Sequence, residues 1–145
     1  MVTTPISDRL FVDTSYAIAR FNERDEYHRA ALSLGDAIAT CRELWTTDAV
    51  LLEIAASFSR AEHRSLAVGL WDQFHGSDPR FCVVEANGRQ LAEAMDLFRD
   101  RADKSWSLAD CLSFVVMGRE KLTQALTADR HFLQAGFEAL LLPSE

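Results

Sequence analysis

The chain has 145 residues, of which 48% are hydrophobic and 26% charged, and its formal net charge is −7. This length and composition favour one globular domain over residues 1–145, without internal repeats or linkers. No segment approaches the roughly 18 apolar residues of a membrane span, and residues 1–10 lack the pattern of a signal peptide. We therefore expect a cytoplasmic protein with no membrane partner.

Short apolar runs alternate with amphipathic runs along the chain, which is typical of an α/β fold. In chain order we predict a strand over 9–13, helices over 14–21 and 25–40, a strand over 44–46, helices over 48–60 and 62–74, a strand over 80–85, helices over 88–101 and 107–120, a strand over 125–127, a helical turn over 131–135 and a last strand over 137–141. Right-handed crossovers between such strands produce a parallel sheet of four to five strands with helices on both faces, a three-layer α/β/α arrangement.

Apolar residues at helical spacing predict the buried faces of three of these helices. The predicted core positions are Ala30, Ala31, Leu34, Ala37 and Ile38 in the helix over 25–40, Leu66, Leu70 and Phe74 in the helix over 62–74, and Leu91, Ala94, Met95 and Phe98 in the helix that Asn87 caps.

Four acidic residues lie in apolar surroundings, where a lone carboxylate must be paired, protonated or bound to metal. Asp13 and Asp129 follow predicted strands, Glu53 is the only charge in residues 49–56, and Asp110 is the only charge in residues 107–117. Each has a structural alternative. Asp13 and Asp129 could cap the next helix, Asp110 could complete a capping box with Ser107, and Glu53 could lie on a narrow solvent-facing stripe.

The four acids together predict a metal centre more strongly than any of them alone. Carboxyl ends of parallel strands are where ligands bind in open sheets, and the two helical acids could flank that edge. Bare carboxylates at one point repel each other, whereas Mg²⁺ and Mn²⁺ take carboxylate oxygens, waters and substrate phosphates as ligands. Cys41, Cys82 and Cys111 have no zinc-site spacing, so we expect reduced thiols.

These segments resemble the PIN-domain nucleases over nearly the whole chain. The matching segments are FVDTS (11–15) with Asp13, TTDAVLLEIAASF (46–58) with Glu53, RADKSWSLADCLSF (101–114) with Asp110 and ALTADRHF (125–132) with Asp129. Their order and the chain length are similar to those of compact members, many of which are toxins of the VapBC toxin–antitoxin type.

The resemblance implies a single PIN-like domain with its acids at the carboxyl edge of the sheet. It also implies hydrolysis of RNA with Mg²⁺ or Mn²⁺ held by the four acids, in-line attack by water, and 5′-phosphate and 3′-hydroxyl products. As partners it implies RNA, a second copy of the chain in a homodimer, and a cognate antitoxin protein. The alternatives are a housekeeping RNA-processing nuclease and a non-catalytic α/β binding module. A phosphoacceptor receiver domain fits less well, because the residues before Asp13 are apolar and Arg130 follows Asp129.

Further residues are candidates for supporting roles. Ser15 and Thr127 carry hydroxyls that could orient a ligand carboxylate, although local turn contacts would explain them as well. Arg101 and Lys104 could meet RNA phosphates and so offset the acidic net charge, which by itself disfavours a nucleic-acid partner. Alternatively, Asp103 and Trp106 hold that loop. Further candidates for phosphate contact are Arg20, Arg130 and His131.

Overall fold

The structure, a computed structural model, describes residues 5–144; residues 1–4, on which part of the signal-peptide expectation rests, and residue 145 lie outside it. In chain order its elements are β1 (Arg9–Val12), α1 (Thr14–Phe21), α2 (His28–Ser33), α3 (Gly35–Thr40), β2 (Glu43–Thr47), α4 (Asp48–Ser57), α5 (Arg64–Phe74), β3 (Phe81–Val84), α6 (Gly88–Asp100), α7 (Leu108–Arg119), β4 (Gln124–Leu126), α8 (Arg130–Gln134) and β5 (Glu138–Ala139). None of the helices in the described range is long and apolar enough to cross a membrane.

The five strands form one parallel sheet in the order β3-β2-β1-β4-β5. The chain winds outward from β1 through β2 to β3, and then crosses back to β4 and β5. The order of the strands therefore reverses between β1 and β4. In open α/β sheets the crevice at the carboxyl ends of such neighbouring strands is the usual ligand site.

Helices cover both faces of the sheet, as the alternating pattern predicted. Right-handed crossovers place α1 to α5 on one face, where α1 contacts α2 and α4, and α6 to α8 on the other, where α6 contacts α7. The second face has an aromatic core in which Phe114 packs edge-on against Trp106 and Phe132, and Phe132 packs against Phe11 of β1. The predicted three-layer α/β/α class is confirmed.

The single helix predicted over 25–40 is wrong, because two short helices stand there. The Asp25 carboxylate accepts the Tyr27 N–H in a turn that precedes α2. The break falls at Leu34, before Gly35, and glycine is among the poorest helix formers. Of the predicted face, Ala31 and Leu34 are buried.

The predicted inward face of α6 is also mostly wrong. Ala94 is fully buried, but Leu91, Met95 and Phe98 are 38%, 37% and 43% exposed. This helix packs on α7 through its Ala94 side, where Arg119 of α7 pairs with Glu93. An apolar stripe predicts that a helix is amphipathic. The stripe of α6 is wider than the surface that the helix buries, so part of it stays exposed to solvent.

Candidate metal centre

The four predicted acids come from both layers and from the sheet between them. Asp13 directly follows β1, and its N–H donates to Leu126 O at the end of β4 (3.2 Å), so the two strand ends are joined. Asp129 lies three residues beyond β4. Glu53 projects from α4 on one face and Asp110 from α7 on the other. The negative charges of Asp110 and Asp129 act on both Asp13 and Glu53 and raise their pKa values, so the four form one electrostatic cluster.

Asp13 is the buried member of the cluster, with 8% of its surface exposed. It occupies the position before α1, but its side chain makes no capping hydrogen bond there. Its Oδ2 instead accepts the hydroxyl of Thr127 at 2.7 Å. Burial raises the pKa of Asp13 to about 6, an effect that the Thr127 hydrogen bond opposes and the neighbouring acids increase. The same oxygen also accepts the Ser15 hydroxyl at 3.3 Å, so hydroxyls that follow β4 and β1 hold the Asp13 side chain between the two strand ends.

Glu53 is exposed, contrary to its expected apolar surroundings. Leu52 beside it is 67% exposed, so the outer side of α4 faces solvent. Glu53 makes one long hydrogen bond within the site, in which its Oε2 accepts the Thr14 hydroxyl at 3.4 Å. Partial desolvation, followed by the charges of Asp13, Asp110 and Asp129, raises its pKa. Glu53 thus lies at the open side of the cluster.

Asp110 and Asp129 both cap helices and also belong to the cluster. Asp110 forms a complete capping box with Ser107, in which its Oδ2 accepts the Ser107 N–H at 3.0 Å. Asp129 is the N-cap of α8, and its Oδ1 accepts the His131 N–H at 2.8 Å. Each cap engages one carboxylate oxygen, and within residues 5–144 the other oxygen makes no hydrogen bond. Capping and metal binding are therefore compatible at these two positions.

Two hydroxyls connect the ends of β1 and β4. The Thr127 hydroxyl, which is fully buried, donates to Asp13 and accepts the Asp129 N–H at 3.0 Å. Ser15 Oγ accepts the Ala128 N–H at 2.9 Å and lies 3.0 Å from the Thr127 hydroxyl. Both hydroxyls therefore contact the acids or the backbone beside them.

The donor chemistry of the cluster fits a divalent cation. Among residues 5–144 no Lys or Arg nitrogen lies within 4.0 Å of the Asp13, Glu53, Asp110 or Asp129 carboxylates. The raised pKa values of Asp13 and Glu53 are the response expected of carboxylates that lack a positive partner. The four carboxylates supply oxygen ligands, which suit Mg²⁺ or Mn²⁺.

His131 was expected at most to contact phosphate, but it lies among the acids. Its Nδ1 is 3.1 Å from Asp110 Oδ2 and 3.3 Å from Asp129 Oδ1. One potential ligand atom from each of these three residues lies within 4.8 Å of the others. Its position two residues after Asp129, at the start of a short helix, is the one sequence signal of this placement.

The basic loop residues Arg101 and Lys104 hold the loop and do not reach the acids. Arg101 makes two hydrogen bonds to Asp103 and lies over the Trp106 ring, 4.9 Å from its centroid. Lys104 lies 4.0 Å from the same Asp103 carboxylate. Trp106 is buried, and its indole N–H donates to Gln134 of α8. The alternative in which Asp103 and Trp106 hold the loop therefore describes this segment.

Comparison with known proteins identifies a protein family and several similar solved structures. The PIN domain family model matches residues 10–138. The crystal structure of Mycobacterium tuberculosis VapC20, described as a sarcin-ricin loop cleaving toxin, superposes with a TM-score of 0.75. The two chains are 24% identical, and the match covers 88% of this chain and 95% of the other, which establishes similarity of fold. No curated protein matches the sequence.

Proposed function

The chain belongs to the PIN domain family, and on that premise we propose that it is a ribonuclease dependent on Mg²⁺ or Mn²⁺. One observation carries the proposal. Asp13, Glu53, Asp110 and Asp129 meet where the strand order reverses, with no Lys or Arg within 4.0 Å in residues 5–144. A cluster of this charge without a basic partner favours a bound cation, and a cation held by carboxylates is suited to phosphodiester hydrolysis.

We assign a separate role in cation binding to each side chain of the cluster. Asp13, Asp110 and Asp129 would hold the cation from the sheet edge, and Glu53 would approach from the open side. The bound cation would supply acidification of water and neutralisation of the charge that develops on the phosphate. Thr127 and Ser15 would act as positioning residues, because their hydroxyls fix Asp13 and the backbone before Asp129. No cleavage step then requires a Lys or Arg side chain in the cluster.

RNA is the proposed substrate, and a cognate antitoxin is the proposed regulatory partner. Support comes from family membership and from the fold shared with VapC20, which is itself described as a toxin that cleaves the sarcin-ricin loop. The acidic surface would meet RNA only through bound cations, since these become the largest local charges in such a site. A cytoplasmic location is part of the same proposal.

The nuclease proposal is tested with the purified protein and a structured RNA. Cleavage should require Mg²⁺ or Mn²⁺, should stop with EDTA, and should nearly vanish in Asp13→Asn. The matched control is Asp48→Asn, which removes the same charge from the first turn of α4, where Asp48 accepts the Ala86 N–H and lies outside the cluster. Cleavage that persists after complete chelation, or that survives in Asp13→Asn, would contradict the proposal.

The toxin proposal is tested separately in a bacterial host. Expression of the wild-type chain should arrest growth, and Asp13→Asn should grow normally at the same protein level. Harmless expression of a wild-type enzyme that cleaves RNA well in vitro would instead favour a housekeeping processing nuclease. Folded protein with neither activity would favour the non-catalytic binding module.

A further inference from the structure

His131 is the one imidazole in the described residues that contacts the acidic cluster. Its ring nitrogen Nδ1 reaches the carboxylates of Asp110 and Asp129, at 3.1 and 3.3 Å. The other three histidines are engaged elsewhere or lie on the surface. His28 bonds to Ala19 O, His75 stacks on Trp71, and His63 precedes α5 as an exposed residue.

The backbone holds this arrangement in place without a cation. Asp110 is fixed by its capping box and Asp129 by the His131 N–H, so both carboxylates have a defined position. His131 is only 30% exposed, and the next residue, Phe132, is buried in the aromatic core, which anchors α8. The imidazole is therefore partly buried, and it lies on a helix that the buried Phe132 anchors to the core.

The spacing of the three side chains suits a shared cation. In an octahedral site with bonds of about 2.1 Å, opposite ligand atoms stand about 4.2 Å apart. The three potential ligand atoms already lie within 4.8 Å of one another, so small side-chain rotations would complete the site. The oxygens that face the imidazole, Asp110 Oδ2 and Asp129 Oδ1, also accept the capping N–H groups, but each carboxylate oxygen has a second lone pair that a cation can take. Without a cation the Nδ1–H can donate to Asp110 Oδ2; to bind a cation, the imidazole would carry its proton on Nε2 and offer the Nδ1 lone pair.

We propose that His131 is a nitrogen ligand of the metal centre, together with Asp110 and Asp129, and that it makes the site prefer Mn²⁺ to Mg²⁺. The proposal rests on the proposed function, because it assumes that the cation binds at this cluster. The expected preference for Mn²⁺ depends on the type of ligand, because Mg²⁺ strongly prefers oxygen ligands and loses its bound water reluctantly. Imidazole nitrogen suits first-row transition-metal ions better, and an N-containing site should therefore favour Mn²⁺ over Mg²⁺.

The test measures metal binding by the intact protein in the absence of RNA. Calorimetric titration with Mn²⁺ and Mg²⁺ gives both affinities, and pulsed electron paramagnetic resonance of bound Mn²⁺ detects a coordinated ¹⁴N nucleus. The informative variant is His131→Gln, because glutamine can still donate a hydrogen bond to the acids but offers no ring nitrogen. His63→Asn is the control, and circular dichroism with thermal unfolding verifies that each variant folds.

The expected result is a ¹⁴N signal in the wild type and in His63→Asn that is absent in His131→Gln. Mn²⁺ affinity should fall on the order of tenfold in His131→Gln, the scale of losses at mutated metal sites, while Mg²⁺ affinity changes little. Bound Mn²⁺ without a ¹⁴N signal, a signal that survives in His131→Gln, or an unchanged ratio of the two affinities would each overturn the proposal. If His131→Gln does not fold, the ¹⁴N spectrum of the wild type decides by itself.

A parallel Asp13→Asn titration separates this inference from the function on which it rests. If Mn²⁺ and Mg²⁺ binding both weaken in Asp13→Asn but no nitrogen is coordinated, the metal centre stands and only the role of His131 is refuted. If neither ion binds the wild type, or if both affinities are unchanged in Asp13→Asn, the proposed metal-dependent function fails together with the inference.

Discussion

Replacing Asp13 by Asn should stabilise the metal-free protein, although it should abolish activity. Asp13 is 8% exposed, and its carboxylate is ionised at neutral pH next to the charges of Asp110 and Asp129. Asn has nearly the same shape, and its amide oxygen can still accept the Thr127 hydroxyl. The substitution therefore removes the buried charge while keeping the packing and the main hydrogen bond of the site.

The magnitude follows from the pKa of Asp13, which rises from 3.8 to about 6 on folding. A tenfold difference in acidity corresponds to about 1.4 kcal/mol, so ionised Asp13 costs the fold at most about 3 kcal/mol. Since the folded pKa is the higher one, the cost is absent below about pH 3.8 and is complete above about pH 6. Imperfect hydrogen bonding of the amide would offset part of the gain and leave about 1–2 kcal/mol at pH 7.5.

Thermal unfolding of the chelated proteins measures this difference. In a domain of this size we expect Asp13→Asn to unfold roughly 3–6 °C above the wild type at pH 7.5. The gain should shrink as the pH is lowered toward 4. Saturating Mn²⁺ should reverse the order, because only the wild type retains the full ligand set and ligand binding stabilises the folded state.

Asp48→Asn is the matched control, because it changes the net charge equally but removes a favourable charge from the start of α4. It should not raise the melting temperature. The reasoning would be refuted if Asp13→Asn were less stable than the wild type without metal, or if its gain were the same at pH 4 and pH 7.5. Asp110 and Asp129 are poorer probes, since each also caps a helix.

Three further predictions concern the hydroxyl network, assembly and regulation. Thr127→Val should lower the free energy of unfolding by about 1–3 kcal/mol in denaturant titrations, because it leaves Asp13 and the Asp129 N–H without their buried partner; Thr123→Val, at an exposed position, should change it little. Light scattering at high concentration should give the mass of a homodimer, and a monomer throughout would contradict the family-based expectation. An antitoxin segment should inhibit the enzyme by placing an arginine among Asp13, Glu53 and Asp110, since a guanidinium can form two parallel hydrogen bonds to a carboxylate. Inhibition should then weaken as Mn²⁺ is added, and inhibition insensitive to Mn²⁺ would contradict this mode.

Much of the candidate site could be predicted because its sequence signals are local. Asp13 and Asp129 follow short buried strands. Because the carboxyl ends of parallel strands lie at one edge of the sheet, the parallel arrangement alone predicts that these two acids lie near each other. Asp110 was recognisable as the lone charge of an apolar helix. The PIN resemblance then connected these acids with Glu53, for which the burial argument was wrong, because the outer side of α4 is exposed.

What the sequence by itself determined was the order and type of the main elements, the α/β class and the acids that belong to the sheet edge, because periodicity and turn chemistry act over a few residues. Tertiary structure alone decided that the apolar stripe of α6 faces outward, that Arg101 holds its own loop, and that His131 stands between Asp110 and Asp129. These outcomes depend on which surfaces face each other after β4 has crossed to the other side of β1. Distances between residues far apart in the chain are set by packing, and no local pattern encodes them.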